Sequence, residues 1–211
     1  MAILILTGYD DAMAEVGDLT NPSKAAFAEA GGYAFHCQRE YTTDSHPSWQ
    51  KIALLRRYLP EFDAILWLDA DSLVTSTAFR VNQSRSLGTP LIVSRDWSTC
   101  SPDDEPHHFS MGNFLIRNVP NAFRLLDLVE ARQSHWMNQP LWEQSAIQAE
   151  HRENPKVRNW IHVVPRRVLN SVPHPEAPEP WRPGDFLCHY TGIANSLRIA
   201  LIHETLAKIG Q

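Results

Sequence analysis

Short apolar runs alternate along this chain with stretches in which apolar residues recur at helical spacing, the pattern of a mostly parallel sheet with crossover helices. Ala2 to Thr7 reads as the first strand, with Gly8 opening the turn that leaves it. Pro22 opens a helix to about Ala30, Gly31-Gly32 stops it, and Tyr33 to Cys37 reads as the second strand. Ser48 is placed to cap a helix from Trp49 to Tyr58, whose Trp49, Ile52 and Leu59 share a face. Ile65 to Leu68 is the next strand. Leu91 to Ser94 and Phe114 to Ile116 follow, separated by the polar segment Trp97 to Ser110, and Pro120 starts a helix with Ala122, Leu125, Leu126 and Val129 at helical spacing. Pro173, Pro175, Pro178, Pro180 and Pro183 exclude a regular helix or a central strand, so this stretch is predicted to cross the molecule in extended form. A final helix is predicted from about Asn195 to Lys208, with Leu197, Leu201 and Ile202 available for packing. No internal repeat or long linker interrupts the pattern. The expectation is one α/β domain over residues 1–211, a mostly parallel central sheet flanked by helices.

Composition narrows the class. With 211 residues, 43% of them hydrophobic, the chain is long enough for one large domain. A net charge of −5 gives no electrostatic reason to expect nucleic acid or anionic lipid as the main partner. The first apolar run, Ala2 to Leu6, is too short for a signal peptide or a transmembrane segment, and a cytoplasmic location is expected. Cys37, Cys100 and Cys188 are odd in number and widely spaced, which indicates neither a disulfide framework nor a zinc knuckle.

The most informative stretch is Ile65-Leu66-Trp67-Leu68-Asp69-Ala70-Asp71-Ser72, in which an apolar run delivers two carboxylates to its end. Residues i and i+2 of a strand point the same way, so Asp69 and Asp71 are expected to converge. Two adjacent carboxylates repel unless neutralised, and a divalent cation is the expected remedy. Oxygen ligation suits Mg²⁺ or Mn²⁺, ions that bridge proteins to diphosphates. A surface loop that simply carries two aspartates is the plainer alternative. Against it, four apolar residues directly before the pair put it at the mouth of a buried strand, where open α/β sheets bind ligands.

Five segments in order then carry a family resemblance: Trp49-Gln50-Lys51-Ile52, Trp67-Leu68-Asp69-Ala70-Asp71, Gly112-Asn113-Phe114-Leu115-Ile116-Arg117-Asn118, Trp142-Glu143-Gln144, and Phe186-Leu187-Cys188-His189-Tyr190-Thr191-Gly192. The chain resembles GT-A fold glycosyltransferases, most of all the α-glycosyltransferases of family 34, which include galactosyl-, mannosyl- and xylosyltransferases. The resemblance implies a retaining hexosyltransferase that uses a nucleotide-sugar, with a UDP-sugar favoured, UDP-galactose slightly ahead of UDP-glucose, and GDP-mannose kept open. It implies a glycan acceptor.

It also assigns roles. Asp69, Asp71 and His189 would hold the metal on the donor diphosphate, Mn²⁺ rather than Mg²⁺ because an imidazole suits Mn²⁺ better. Thr7 and Gly8 would grip the nucleotide base, with Lys51, Asp69 and Gly192 also on the donor. Asp96 resembles the residue that touches the transferred sugar. Glu143-Gln144 would lie at the reacting centre. An amide cannot take a proton, so Gln144 suits a retaining reaction in which its carbonyl faces an oxocarbenium-like carbon. Trp97, Trp136 and Trp181 are candidates to stack on sugars, Trp181 foremost, although large aromatics are usually core or lobe packing. His107-His108 with Asp103, Asp104 and Glu105 reads as a polar lid rather than a second metal site.

The chain departs from the family pattern twice. Ser110-Met111-Gly112 stands where Asn-x-Gly is usual, and Ile193-Ala194-Asn195 where a lysine is expected, leaving backbone groups, Asn195, Arg198 or Lys51 for the pyrophosphate. Two other classes share the apolar-D-x-D signature or a silent form of it: a haloacid-dehalogenase-like phosphatase with Asp69 as nucleophile, and a catalytically silent carbohydrate-binding protein.

Overall fold

The computed structural model describes residues 1–40, 46–81, 88–97, 105–177 and 179–210. In chain order the elements are β1 (Ile3–Gly8), α1 (Ala14–Gly31), β2 (Ala34–Gln38), α2 (Pro47–Tyr58), β3 (Ala64–Leu68), β4 (Ser72–Val74), β5 (Leu91–Arg95), β6 (Phe109–Arg117), α3 (Pro120–Ala131), α4 (Gln133–Trp136), α5 (Trp142–Glu153), α6 (Pro155–Arg158), β7 (Ile161–Val164), α7 (Arg166–Leu169), β8 (Leu187–His189) and α8 (Asn195–Ile209). Six strands form one sheet in the order β2-β1-β3-β6-β5-β7, and β4 and β8 form a second, two-stranded sheet. All pairings in the large sheet are parallel except those of β6, which runs antiparallel to both β3 and β5.

The sheet is covered on both faces, which is why its strands read as nearly unbroken apolar runs. Leu4, Leu6, Ile65 and Trp67 pack on one side with α2, α3 and α5, whereas Ile3, Ile5, Leu66 and Leu68 pack on the other with Phe27 and Ala28 of α1. Each strand thus alternates its side chains between two buried layers. The predicted faces of the helices at 49–58 and 120–131 hold: Trp49, Ile52, Leu59, Ala122, Leu125, Leu126 and Val129 are all buried.

Four expectations are corrected. The helix expected to open at Pro22 begins at Ala14 and carries Pro22 inside it. Proline forfeits one helical hydrogen bond there, and the burial of Val16, Thr20, Ser23 and Phe27 along the same helix outweighs that loss. The cap of α2 is His46, whose Nδ1 accepts from Ser48 N at 3.2 Å, with Pro47 in the first turn. The strand expected over Phe114 to Ile116 starts five residues earlier, at Phe109, because the antiparallel ladder with β5 extends to Arg95↔Phe109 past a bulge. Leu197 is exposed, whereas Ile202 is buried and Ile199, Leu201 and Leu206 pack partly buried beside it. The proline-rich stretch crosses in extended and turn conformations, with one parallel bridge, Val172↔Pro180. Pro178, Cys100, Asp103 and Asp104 lie outside the described residues. Among the described residues, no helix is long and apolar enough to cross a membrane.

Candidate active site and metal centre

The two aspartates do not converge through strand alternation. β3 ends at Leu68, and Asp69 to Ser72 form a turn closed by Ser72 N donating to Asp69 O at 3.0 Å. The chain leaves this turn as β4, which pairs with β8 in the register Ser72↔His189, and Tyr190 N donates to Asp71 O at 3.0 Å. The small sheet therefore delivers a late histidine to the two aspartates. One ligand atom from each of Asp69, Asp71 and His189 lies within 4.8 Å of the others, as a shared cation requires.

The surroundings fit a metal on three counts. Nδ1 of His189 lies 2.7 Å from Asn170 Oδ1, and Asn170 Nδ2 donates to Arg95 O at 3.1 Å, which fixes the amide with its oxygen toward the ring. Nδ1 then carries the proton, which leaves Nε2, facing Asp71 Oδ1 at 3.2 Å, as the atom that would ligate a cation. Gly112 keeps the space open: a Cβ there would lie 2.3 Å from His189 Cε1 and 3.1 Å from Asp69 Oδ2. The donor set of two carboxylates and one imidazole suits Mn²⁺.

Electrostatics bind the cluster together. Burial alone would raise the Asp71 carboxyl, but the His189 imidazole, Arg198 and Lys24 outweigh it and hold the group at about 2. Burial alone would lower His189, and the carboxylates of Asp71, Asp69 and Asp96 reverse that and raise it. A metal on Nε2 competes with this proton, so acid opposes metal binding. Arg198 also contacts Asp71 Oδ2 at 3.2 Å and donates to Tyr190 O at 2.9 Å.

Two cavities meet at this cluster and share Ser48, Lys51, Asp69 and Trp142. The larger, about 410 Å³, runs past Gly8, Tyr9, Asp10, Asp71 and Arg198. The smaller, about 140 Å³, is bordered by Asp96, Ser110, Gly112, Glu143, Gln144, His189 and Thr191. Gln144 is fixed in orientation: Oε1 accepts from Met111 N at 2.8 Å and Nε2 donates to Asp96 Oδ2 at 3.2 Å. Asp96 Oδ1 accepts from Trp97 N at 2.6 Å. Lys51 donates to Met111 O at 2.7 Å and Glu143 Oε1 at 2.8 Å and pairs with Asp69 Oδ1 at 3.2 Å. Burial by itself would lower Lys51 and raise Glu143; the two acidic partners more than compensate at Lys51, while Glu143 remains raised. Its Oε2 has no partner among the described residues.

Most of the residues expected from sequence are thus brought together: Asp69, Asp71, His189, Asp96, Glu143, Gln144, Lys51 and Gly8. Thr7 is not among them. It is fully buried, with Oγ1 3.4 Å from Lys24 Nζ, and borders neither cavity. Gly192 adopts φ 72 in the turn after His189, but Thr191 rather than Gly192 borders the cavity. Ser110 Oγ, in place of the expected asparagine, accepts from Gly112 N at 3.1 Å. The tryptophans take packing positions: Trp181 packs on the small-sheet cluster with its indole on Thr75, Trp136 packs on the main core, and Trp97 stacks on His174 at 4.4 Å. Of the aromatics Tyr9, Trp67 and Trp142 at the cavities, Trp142 borders both and is stacked on His46 at 3.6 Å. Its backbone and that of Leu141 have φ 41 and 64, a strain that side-chain-bearing residues accept rarely and mostly near functional sites. His107 Nδ1 lies 2.7 Å from His151 Nδ1, away from the aspartate cluster. Sequence reasoning missed Asn170, Lys24 and the steric demand at Gly112. Only Gly112 left a signal, its place in a quoted motif.

Comparison with known proteins agrees with this geometry. The model of the galactosyl transferase GMA12/MNN10 family matches residues 89–198. The chain is 25% identical over 185 residues to the probable alpha-1,6-mannosyltransferase MNN10 of Saccharomyces cerevisiae, covering 72% of this chain and 46% of that protein. It is 24% identical over 194 residues to the uncharacterized alpha-1,2-galactosyltransferase C637.06 of Schizosaccharomyces pombe, covering 75% and 55%. The chain spans about half the length of these curated relatives. In fold it is similar to a glycosyltransferase involved in glycosylation of the major capsid of PBCV-1, with a TM-score of 0.71 at 16% identity, covering 97% of this chain and 100% of the other. The architecture is the GT-A glycosyltransferase fold.

Proposed function

The chain belongs to the galactosyl transferase GMA12/MNN10 family, and we propose that it is a metal-dependent, retaining glycosyltransferase that moves a hexose from a nucleotide-sugar to a glycan acceptor. The observation that carries this reading is the meeting of Asp69, Asp71 and His189 where a large and a small cavity join. The large cavity takes the nucleotide, with Gly8 at the base end, and the small one takes the sugar. When bound, a divalent cation supplies positive charge to the departing diphosphate. Lys51 fixes the carboxylates of Asp69 and Glu143 from behind, and Asp96 holds the transferred sugar. Thr191 borders the small cavity with His189, and Gly192 follows it in the turn.

Gln144 supports retention, because an amide locked by Met111 and Asp96 offers a carbonyl to a cationic carbon and no base to a hydroxyl. A UDP-sugar is the favoured donor, UDP-galactose ahead of UDP-glucose. Its support is the galactosyltransferase named among the relatives, and the mannosyltransferase keeps GDP-mannose as the alternative. The test is incubation with Mn²⁺ and a panel of sugar nucleotides, followed by NMR of the first-formed product from an α-linked donor. An α-linked product that excess chelator abolishes is expected. A β-linked product overturns retention and moves the base role to Asp96 or to Glu143, whose Oε2 has no partner among the described residues.

A further inference from the structure

The D-x-D turn is gripped from behind by α1. Lys24, on the third turn of that helix, has no exposed surface, and its ammonium lies 2.8 Å from Asp69 O and 3.2 Å from Ala70 O. Thr20 Oγ1 and Thr7 Oγ1 complete its surroundings at 3.2 and 3.4 Å, and Thr20 Oγ1 itself donates to Ala70 O at 2.5 Å. One residue before Lys24, Ser23 Oγ accepts from Val74 N at 3.0 Å in the strand that leaves the turn. Three polar residues of one helix, Thr20, Ser23 and Lys24, therefore hold the turn that carries both aspartates and the strand that leaves it.

Every group around the ammonium is an oxygen acceptor, and a lysine offers donors only, so the fit is complete in chemical kind. Among the described residues no carboxylate lies within ion-pair distance of Lys24. Its direct partners are neutral and the charges of Asp71 and Asp69 beyond them offset its burial only in part, so burying this cation costs stability and a packing role alone does not account for the residue. What it does hold is specific: the carbonyls of Asp69 and Ala70, the two peptide units between the ligand side chains. Turning either peptide would swing one carboxylate relative to the other.

We propose that Lys24 is a positioning residue of the metal site, which fixes the relative placement of the Asp69 and Asp71 carboxylates by binding the main-chain carbonyls of the turn between them. The proposal rests on the reading of Asp69, Asp71 and His189 as a divalent-cation site.

The experiment is Mn²⁺ titration of the purified chain by electron paramagnetic resonance, read alongside thermal melts. Lys24→Met keeps an unbranched side chain one atom shorter and removes all three donors. A folded Lys24→Met protein is expected to bind Mn²⁺ at least tenfold more weakly, the loss typical when a residue that orients metal ligands is removed. Removing a like charge near the cation acts in the opposite sense. Unchanged or tighter binding in folded Lys24→Met therefore overturns the proposal, leaving Lys24 a packing residue or a mere electrostatic opponent of the metal. Should Lys24→Met not fold, Thr20→Val removes one arm of the same grip at nearly constant volume. It is expected to weaken Mn²⁺ binding several-fold, and wild-type affinity in that variant likewise overturns the proposal. A wild-type chain that fails to bind Mn²⁺ removes the metal reading itself, which separates that failure from a failure at Lys24.

Discussion

Gly112→Ala tests the candidate metal site through sterics alone. The added methyl would sit 2.3 Å from His189 Cε1 and 2.9 Å from Nε2, where carbon contacts settle at about 3.5 Å or more. Relief needs a displacement of roughly 1 Å, and the ring has little room to give it. Nδ1 is held by Asn170, Nε2 faces Asp71 at 3.2 Å, and His189 N donates to Ser171 O at 2.7 Å. Overpacking of this kind costs about 1–3 kcal/mol, which in a domain of this size lowers Tm by about 2–12 °C. Metal ligation tolerates only about 0.2 Å in ligand distance, so the effect on Mn²⁺ affinity is expected to exceed the effect on stability. We expect Kd for Mn²⁺ to rise at least tenfold by isothermal titration. Repeating the substitution in a His189→Ala background removes the obstacle, and there Gly112→Ala should have little further effect on Kd, a coupling read by the double-mutant cycle. Wild-type Mn²⁺ affinity in a folded Gly112→Ala protein would refute the geometry on which the site is built.

Asn170→Ala should weaken Mn²⁺ binding about 10–100-fold by releasing the proton-bearing edge of His189; unchanged affinity in calorimetry would show that Asn170 does not set the tautomer. Lys51→Met leaves Glu143 and Asp69 without their shared cation and should cost about 3–5 kcal/mol in urea unfolding, with a loss below about 1 kcal/mol counting against the buried trio. His151 is pulled down to about 4, first by burial and then by His107, Arg158 and Arg152, so it is neutral in the folded protein while the unfolded chain protonates near the ordinary 6.5. The unfolded state then binds more protons between those values, so stability present above pH 6.5 is lost as pH falls toward 4, by about 1–2 kcal/mol after allowance for partial solvation. Melts at pH 7 and 5 should show a smaller acid loss in His151→Gln than in wild type, and equal losses would sink the assignment.

Much of this site was legible because its chemistry is written locally. An apolar run ending in two aspartates announces itself, as does an amide beside a carboxylate at Glu143-Gln144. What was not legible depends on contacts between distant parts of the chain. Asp69 and Asp71 converge because a turn, rather than the strand period, separates them, and that turn is shaped by Lys24 from 45 residues away. In sequence Lys24 is one lysine on a helix with nothing to distinguish it from a solvated one. Asn170 meets His189 from 19 residues upstream, through a segment that no periodicity marks. The short strands β4, β7 and β8 were invisible for a related reason: three or four residues are too few to establish a period.

The missed half of β6 shows why topology and site belong to one argument. In a parallel sheet only the carboxyl ends of strands reach the ligand crevice. β6 runs the other way, so it brings its beginning, Ser110-Met111-Gly112, to the place where β3 ends, and Asp69 N donates to Gly112 O at 2.9 Å. That end of the strand is fully buried yet carries a serine and a glycine, which break the apolar pattern expected of a covered strand. Each departure has a use here. The serine hydroxyl borders the small cavity, the Met111 amide and carbonyl hold Gln144 and Lys51, and the glycine leaves room for the imidazole. A strand that reads poorly as a strand at one end, and well at the other, is therefore what a site built on an antiparallel insertion should look like in sequence, since local rules yield first where function competes with packing.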